Sequence, residues 1–354
     1  MSEEFDSRER SPRALRVQEA KVANWKQYRC FAIGVGYNGE EYHGFQIQVD
    51  GTRTVEKAIQ DALISAGLID PQMISEEGRF QLFWSRAART DKGVHACMNV
   101  VACRLDSSRM KAEGKDLDQE FFTKLVNQFL PPSIRCMFIN RVTMRFDARV
   151  HCDRRQYEYY IPRKIGSHLV DSRNLEKEMK KFEGTHNFHN FTRGLHPNDK
   201  SAQRHIVSIS VKQVNADFVC IQLYGQSFLL NQIRKMIGLA LEVCLGLAPI
   251  DAVDLALTSG RLVHIHMVPG EGLLLDRLHF KGYDLHKCGD YLVTTPFSWM
   301  IQDEEGDGNP DVMNRINGFK NELVSQAILP KLEEKMNEWI TLIVENNSWE
   351  KRHQ

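Results

Sequence analysis

Neither sign of charge predominates in this chain. Forty-six basic and forty-six acidic residues cancel over 354 positions, which excludes the uniformly cationic surface that phosphate neutralisation favours. No Cys-x-x-Cys occurs among the eight cysteines, most of which lie inside apolar runs. Paired-thiol metal and redox motifs are thereby removed, and buried free thiols are expected. No apolar stretch follows the opening Met-Ser-Glu-Glu-Phe-Asp, so neither a secretory signal nor a membrane span is expected. The sequons at Asn190 and Asn346 then carry no meaning, and a nuclear or nucleocytoplasmic location is expected; the acidic start lends a mitochondrial pool no support. P-loop, Gly-x-Ser-x-Gly and His-Glu-x-x-His motifs are all missing, which removes the commonest hydrolase and phosphotransfer readings.

Two weaker patterns are present and discounted. Gly34-Val35-Gly36-Tyr37-Asn38-Gly39 matches the form of a dinucleotide fingerprint and follows a strand, but Gly44 and Gly51 interrupt the helix that must open inside it. The pairs His186/His189 and His264/His266 have no cysteine or carboxylate at ligand spacing, so no metal is expected.

The zero net charge conceals an uneven distribution. Arg141, Arg145, Arg149, Arg154, Arg155, Arg163 and Lys164 crowd one segment, and Asp303, Glu304, Glu305, Asp307 and Asp311 another. A basic face and an acidic appendage coexist at neutrality. Residues 1–25 are charged and aperiodic, and read as a flexible tail. Tyr28–Tyr37 reads as a buried strand, and Val55, Ala58, Ile59, Ala62, Leu63 and Ala66 recur at helical spacing before Gly67. A helix is expected near Asp118–Phe129, ending before Pro131-Pro132, then strands around Val150 and Tyr157 and a helix around Leu175–Phe182. Strands at Ile206–Val211 and Phe218–Leu223 lead into an amphipathic helix over Leu229–Leu245. Past Gly308, two helices split by Pro330 are expected to pack back on the body. Strands and helices mixed in this way predict an α+β fold, a sheet with helices packed on one face.

The most informative stretch is Arg86-Ala87-Ala88-Arg89-Thr90-Asp91-Lys92-Gly93-Val94-His95-Ala96. It places one carboxylate between two cations on a glycine turn, flanked by the strand-like runs Leu82-Phe83-Trp84 and Asn99–Cys103. Burial raises a carboxylate pKa, whereas a guanidinium within ~4–6 Å lowers it by ~1–3 units. Arg89, two residues away and on the same face of an extended backbone, is the expected cation. Asp91 would then stay ionised, as a nucleophile must.

This string resembles the catalytic signature of the TruA-type tRNA pseudouridine synthases, R-T-D-x-G-V-x-A around one essential aspartate, with Ala87-Ala88 closer to the multisite eukaryotic branch. The likeness runs from Tyr37 to about Tyr283. Tyr37–Gln46 resembles the family's Y-x-G-x-x-Y-x-G-x-Q, and Phe146–Arg149 with Arg155–Tyr159 its F-x-A-R and R-x-Y-x-Y. Phe182–Thr192 is similar to its G-x-H-x-F-x-x-F segment, Gly225–Gly238 to its G-x-S-F-x-x-H-Q-I-R-K-M, and Pro269–Leu275 to its P-x-x-G-L-x-L. Asn231 stands where the eukaryotic members usually have His, which removes a titratable group.

The resemblance implies two subdomains, residues 26–145 and 146–285, sharing one largely antiparallel sheet with a catalytic cleft between them, and a helical extension over 286–354. It also implies the site. Asp91 is the expected nucleophile, with Arg89 and Arg234 as its cations, Tyr157 stacked on the uracil, and Leu273 and Leu275 capping the pocket. Lys92, Arg149, Arg154, Arg155, Asn231 and Gln232 are the expected RNA contacts. The reaction would isomerise uridine to its C5-glycoside at several positions in and near the anticodon stem, after the base leaves its stack. It needs no redox change or group donor, so no cofactor is expected. The expected partner is tRNA, with small nuclear or messenger RNA as further candidates, and the protein is expected to be a monomer. The competing readings are an RNA-binding or RNA-folding module with a decayed centre, and a nucleotide-dependent enzyme using the glycine-rich start.

Overall fold

A computed structural model describes residues 27–48, 50–74, 83–108, 118–258, 260–287, 296–297, 301, 308–346 and 349. The N-terminal tail, Leu82 and most of the acidic cluster around Glu304 lie outside the described residues.

The sheet is built from both ends of the chain. Its first half comprises β1 (Tyr28–Tyr37), β2 (Trp84–Arg86), β3 (His95–Asp106) and β4 (Ile134–Arg141). The second half adds β5 (Arg154–Pro162), and a separate hairpin follows from β6 (Lys164–Ile165) and β7 (His168–Leu169). Next come β8 (Gly184–Asn187), β9 (Gln203–Gln213), β10 (Phe218–Gly225) and β11 (Leu273–His279). The order across the nine-stranded sheet is β4-β1-β3-β11-β5-β10-β9-β8, with β2 on the edge of β3. Every pairing is antiparallel except β3 with β11. β11 therefore joins the halves: Leu275 pairs with Ala96 of β3 on one side and with Tyr157 of β5 on the other.

The expected helices form, and the first three are each opened by a side chain that satisfies an orphan N–H. Thr54 caps α1 (Val55–Ser65), Asp118 caps α2 (Gln119–Phe129) and Asp171 caps α3 (Ser172–Lys180). α4 (Gln232–Cys244), α5 (Ala252–Thr258) and α6 (Lys281–Lys287) follow. None of the described helices is long and apolar enough to cross a membrane.

The C-terminal pair departs from expectation. α7 (Pro310–Glu322) does not break at Pro330 but passes through a π-type segment, Leu323–Ile328, into α8 (Leu329–Asn346). There the Leu329 N–H donates to the Val324 carbonyl, five residues back. A wider turn accommodates what an α-helix cannot, the proline ring and its missing N–H. α7 lies on the face opposite Tyr157. Lys320 reaches Glu158 and Asp276 there, and Phe319 fills the space a side chain on Gly36 would need. The helices thus cover more than the single face expected.

The glycine-rich start has a packing role. A Cβ on Gly34 would stand 2.3 Å from the Phe138 ring, and one on Gly39 2.0 Å from the Val94 carbonyl. Gly34 and Gly36 lie within β1 itself, and no helix opens there to receive a pyrophosphate.

Candidate active site

Asp91 sits in the turn between β2 and β3. Hydrogen bonds to the backbone fix the run that leads to it. The Ala87 N–H donates to the Val100 carbonyl at 2.8 Å, the last bond of the β2 ladder. Thr90 offers its carbonyl to the Phe45 N–H at 3.1 Å, while Gly44 approaches so closely that a Cβ would stand 3.0 Å from the same oxygen. Beyond Asp91, Gly93 takes a φ of +79°, and the Val94 N–H closes the turn on the Asp91 carbonyl at 3.2 Å. A carboxylate held on such a scaffold loses little freedom when it meets a substrate.

Asp91 is half-buried. Burial raises its pKa, opposed first by Arg234 and then by Arg193, and the net shift is upward. Neither guanidinium forms a direct salt bridge with it among the described residues. Arg234, on the first turn of α4, is fixed by donating from Nε to the Val268 carbonyl at 2.8 Å. Gly270 lets it approach the signature turn, since a Cβ there would meet the Lys92 carbonyl at 3.3 Å and the Arg234 guanidinium carbon at 3.6 Å. Tyr157 is buried on β5 with its ring edge-on to Phe228, centroids 5.3 Å apart. Burial, opposed by Arg155 and reinforced by Cys152 and Asp91, pushes its hydroxyl up to about 12. Leu275 pairs with Tyr157 and Leu273 with Tyr159, and both leucines are buried.

The structure thus brings Asp91, Arg234, Tyr157, Leu273 and Leu275 into one region. Arg89 takes a different course. It is exposed, and the charges acting on it are Arg86, Arg149 and Glu56 rather than Asp91. The strand β2 ends at Arg86 and no regular structure spans 88–91, so the strand rule that points residues two apart the same way does not apply to Arg89 and Asp91.

Three expected RNA contacts are engaged within the protein. Arg155 donates to the Ala87 carbonyl at 2.9 Å and to the Gln226 carbonyl at 2.6 Å, tying the signature turn to the end of β10. Gln232 is fully buried and accepts the Leu229 N–H at 2.7 Å, closing the start of α4. Arg154 packs its guanidinium over the Tyr224 ring, 5.3 Å from the centroid. Asn231 has a φ of 63°, the left-handed conformation that Asn and His tolerate better than most residues. Lys92 and Arg149 are exposed, as phosphate-contacting cations must be.

Arg193 escaped the sequence reading, because the segment that drew attention stopped at Thr192. Lys235 holds the preceding loop by donating to the carbonyls of Asn190 at 3.0 Å and Thr192 at 3.1 Å. Its adjacency to a glycine, Gly194 with φ +71°, is the local signal that was available. No group of three or more metal-binding side chains occurs among the described residues.

The sequence relatives of the chain define its class as the pseudouridine synthases. Within that class, the chain belongs to the tRNA pseudouridine synthase family of the TruA type. The family model described as tRNA pseudouridine synthase matches residues 179–281. The Pseudouridylate synthase 1 homolog of Mus musculus is 31% identical over 342 residues, covering 90% of this chain and 75% of its own. The tRNA pseudouridine(27/28) synthase of Saccharomyces cerevisiae is 29% identical over 326 residues, covering 71% and 84%. A tRNA pseudouridine synthase A from Methanothermobacter thermautotrophicus is 34% identical over 254 residues, covering 71% and 82%.

Proposed function

We propose that this protein isomerises uridine to pseudouridine in tRNA with Asp91 as its catalytic carboxylate. The observation that carries the reading is the half-buried Asp91, faced by Arg234 beside the buried Tyr157. The target uridine leaves its stack, at a cost of a few kcal/mol that pocket contacts recover. Its ring enters against Tyr157, with Leu273 and Leu275 beneath. Asp91 acts while the bond from ribose C1′ to N1 breaks. The uracil turns, C1′ bonds to C5, the C5 hydrogen leaves as a proton and N1 takes one up, so atoms and charge balance with no external donor. Arg234 keeps Asp91 ionised against its burial. Lys92 and Arg149, together with Arg193, supply phosphate contacts, while Arg155 and Gln232 hold the site together from within. The name of the yeast relative specifies positions 27 and 28, and those are the positions to map first.

The test is release of tritium to water from bulk tRNA labelled at uridine C5, for the parent and for Asp91→Asn. Release by the parent alone is expected, with tRNA affinity retained within a few-fold. Appreciable turnover by Asp91→Asn refutes the assignment of the carboxylate. Binding without release by the parent, on a pool shown to contain unmodified target uridines, favours a decayed RNA-binding module instead.

A further inference from the structure

The edge of β3 is covered in two pieces. β2 pairs with its residues 101–103 and β11 with residues 95–96, leaving a gap between them just where the chain runs out toward Asp91. Asn99 fills that gap with its side chain. It is fully buried. Its amide oxygen accepts the Ala88 N–H at 3.2 Å and the Val100 N–H at 2.9 Å. Its amide nitrogen donates to the Ala88 carbonyl at 3.0 Å and toward the Tyr37 hydroxyl at 3.5 Å. All four hydrogen-bonding capacities of the amide are thereby engaged. The Asn99 amide pairs with both peptide groups of Ala88 as a further strand residue would, after β2 has ended. Tyr37, also fully buried, carries the connection on: its hydroxyl lies 2.8 Å from Thr90 Oγ1, on the residue preceding Asp91.

We infer that Asn99 and Tyr37 are positioning residues, a buried polar relay that aims the Asp91 carboxylate through Ala88 and Thr90. The inference rests on the reading of Asp91 as the catalytic group. Two arguments separate it from ordinary core packing. First, apolar packing alone would leave both peptide groups of Ala88 and the Thr90 hydroxyl without these partners, and buried amide and hydroxyl groups are costly unless each bond is made. Second, both partners lie in the run Ala88-Arg89-Thr90 that ends at the carboxylate. The relay is rooted in β1 and β3, the strands whose mutual pairing is the longest in the sheet, so displacement at its root passes directly to the turn. Catalysis is sensitive to such displacement, because a shift of about 1 Å in a reacting group can lower the rate ~100-fold.

The experiment compares Tyr37→Phe, Thr90→Val and their double variant with the parent and with Asp91→Asn. Single-turnover tritium release is measured on labelled tRNA, with tRNA affinity and thermal unfolding recorded for each. At nearly constant shape, Thr90→Val removes the bond to Tyr37 alone, and Tyr37→Phe removes that bond together with the longer contact from Asn99. Each is expected to lower the maximal rate by about ten- to a hundredfold, with tRNA affinity within about twofold and a cooperative unfolding transition retained. The double variant is expected to lose no more than Tyr37→Phe alone, since that change already breaks the contact that Thr90→Val removes. Thr90→Ser, which restores the hydroxyl, should recover most of the rate. Folded single variants that turn over within about twofold of the parent, beside an inactive Asp91→Asn, overturn the relay and leave the catalytic assignment standing. Turnover by Asp91→Asn removes the catalytic assignment itself. If Tyr37→Phe does not fold, Thr90→Val and Thr90→Ser decide the question, since Thr90 sits in the turn rather than the core strand.

Discussion

At the scale of single residues, the site depends on a conflict around Asp91. Burial favours the protonated acid, while Arg234 and, less strongly, Arg193 favour the carboxylate. With Asp91 required in its ionised form, activity falls as pH drops through its raised pKa. Removing a cation raises that pKa further, so the acid limb of the rate profile must move to higher pH. We expect the larger move for Arg234→Gln, a smaller one for Arg193→Gln, and none for Arg89→Gln, read from single-turnover rates across pH. A limb displaced by Arg89→Gln but not by Arg234→Gln would reverse the assignment. The signature run revealed the acid but not its cations. Arg89 is adjacent in sequence, yet β2 ends at Arg86, before it. Arg193, about a hundred positions distant, reaches the cleft only because Lys235 holds its loop. Arg155 and Gln232 were read as RNA contacts from the resemblance and the basic segment. Neither shows that Arg155 is already engaged by two carbonyls and Gln232 by the Leu229 N–H.

Among the elements, α4 depends most on close approach. Gly238 faces the segment before β11 so closely that a Cβ would lie 2.2 Å from the His266 carbonyl. That segment also supplies the Val268 carbonyl that fixes Arg234. Gly238→Ala must therefore displace either the helix or the segment, and backbone cannot move aside as a side-chain tip does. A loss of about 1–3 kcal/mol in stability is expected from overpacking, along with a fall in maximal rate as Arg234 shifts. Urea unfolding and turnover measured together will show whether the two losses coincide. Strand and helix identities were legible from periodicity, with β1 placed at its observed bounds and α1, α2 and α4 within a few residues. The exceptions were the strand expected around Val150, where the Asp147 carboxylate accepts the Arg149 and Val150 N–H groups and holds 148–150 as a turn before β5 begins at Arg154, and the C-terminal pair. A proline reads as a helix break because α-geometry excludes it, but the chain widens into π-type turns before Pro330 and continues.

For the molecule as a whole, the C-terminal helices are fastened behind the site rather than appended to it. Lys320 of α7 lies 2.8 Å from Glu158 and 2.7 Å from Asp276. These carboxylates neighbour Tyr157 and Leu275 in sequence, so one half-buried ammonium connects the extension to both strands beside the site. Burial pushes the two carboxyls up and Lys320 opposes this, leaving Glu158 net lowered and Asp276 net raised. Lys320→Met removes the charge that holds both ionised. A loss of roughly 3 kcal/mol is expected at neutral pH, the order seen when a buried pair is broken from one side. The deficit should shrink as pH falls, because protonation relieves the uncompensated carboxylates; a deficit constant with pH would assign the loss to packing instead. By itself the sequence determined the α+β class, most element bounds, the Asp91 turn and the family, since each is written in local periodicity or in a contiguous run of residues. Arg234 was expected from the resemblance; only the tertiary structure decided that Arg193 rather than Arg89 is the second cation acting on Asp91, which polar groups are engaged within the protein, and how β11 and α7 bind the halves together. Those outcomes depend on through-space distances between segments up to about 290 residues apart, as in the ion pair between Glu40 and Lys331, and chain order does not encode such distances locally.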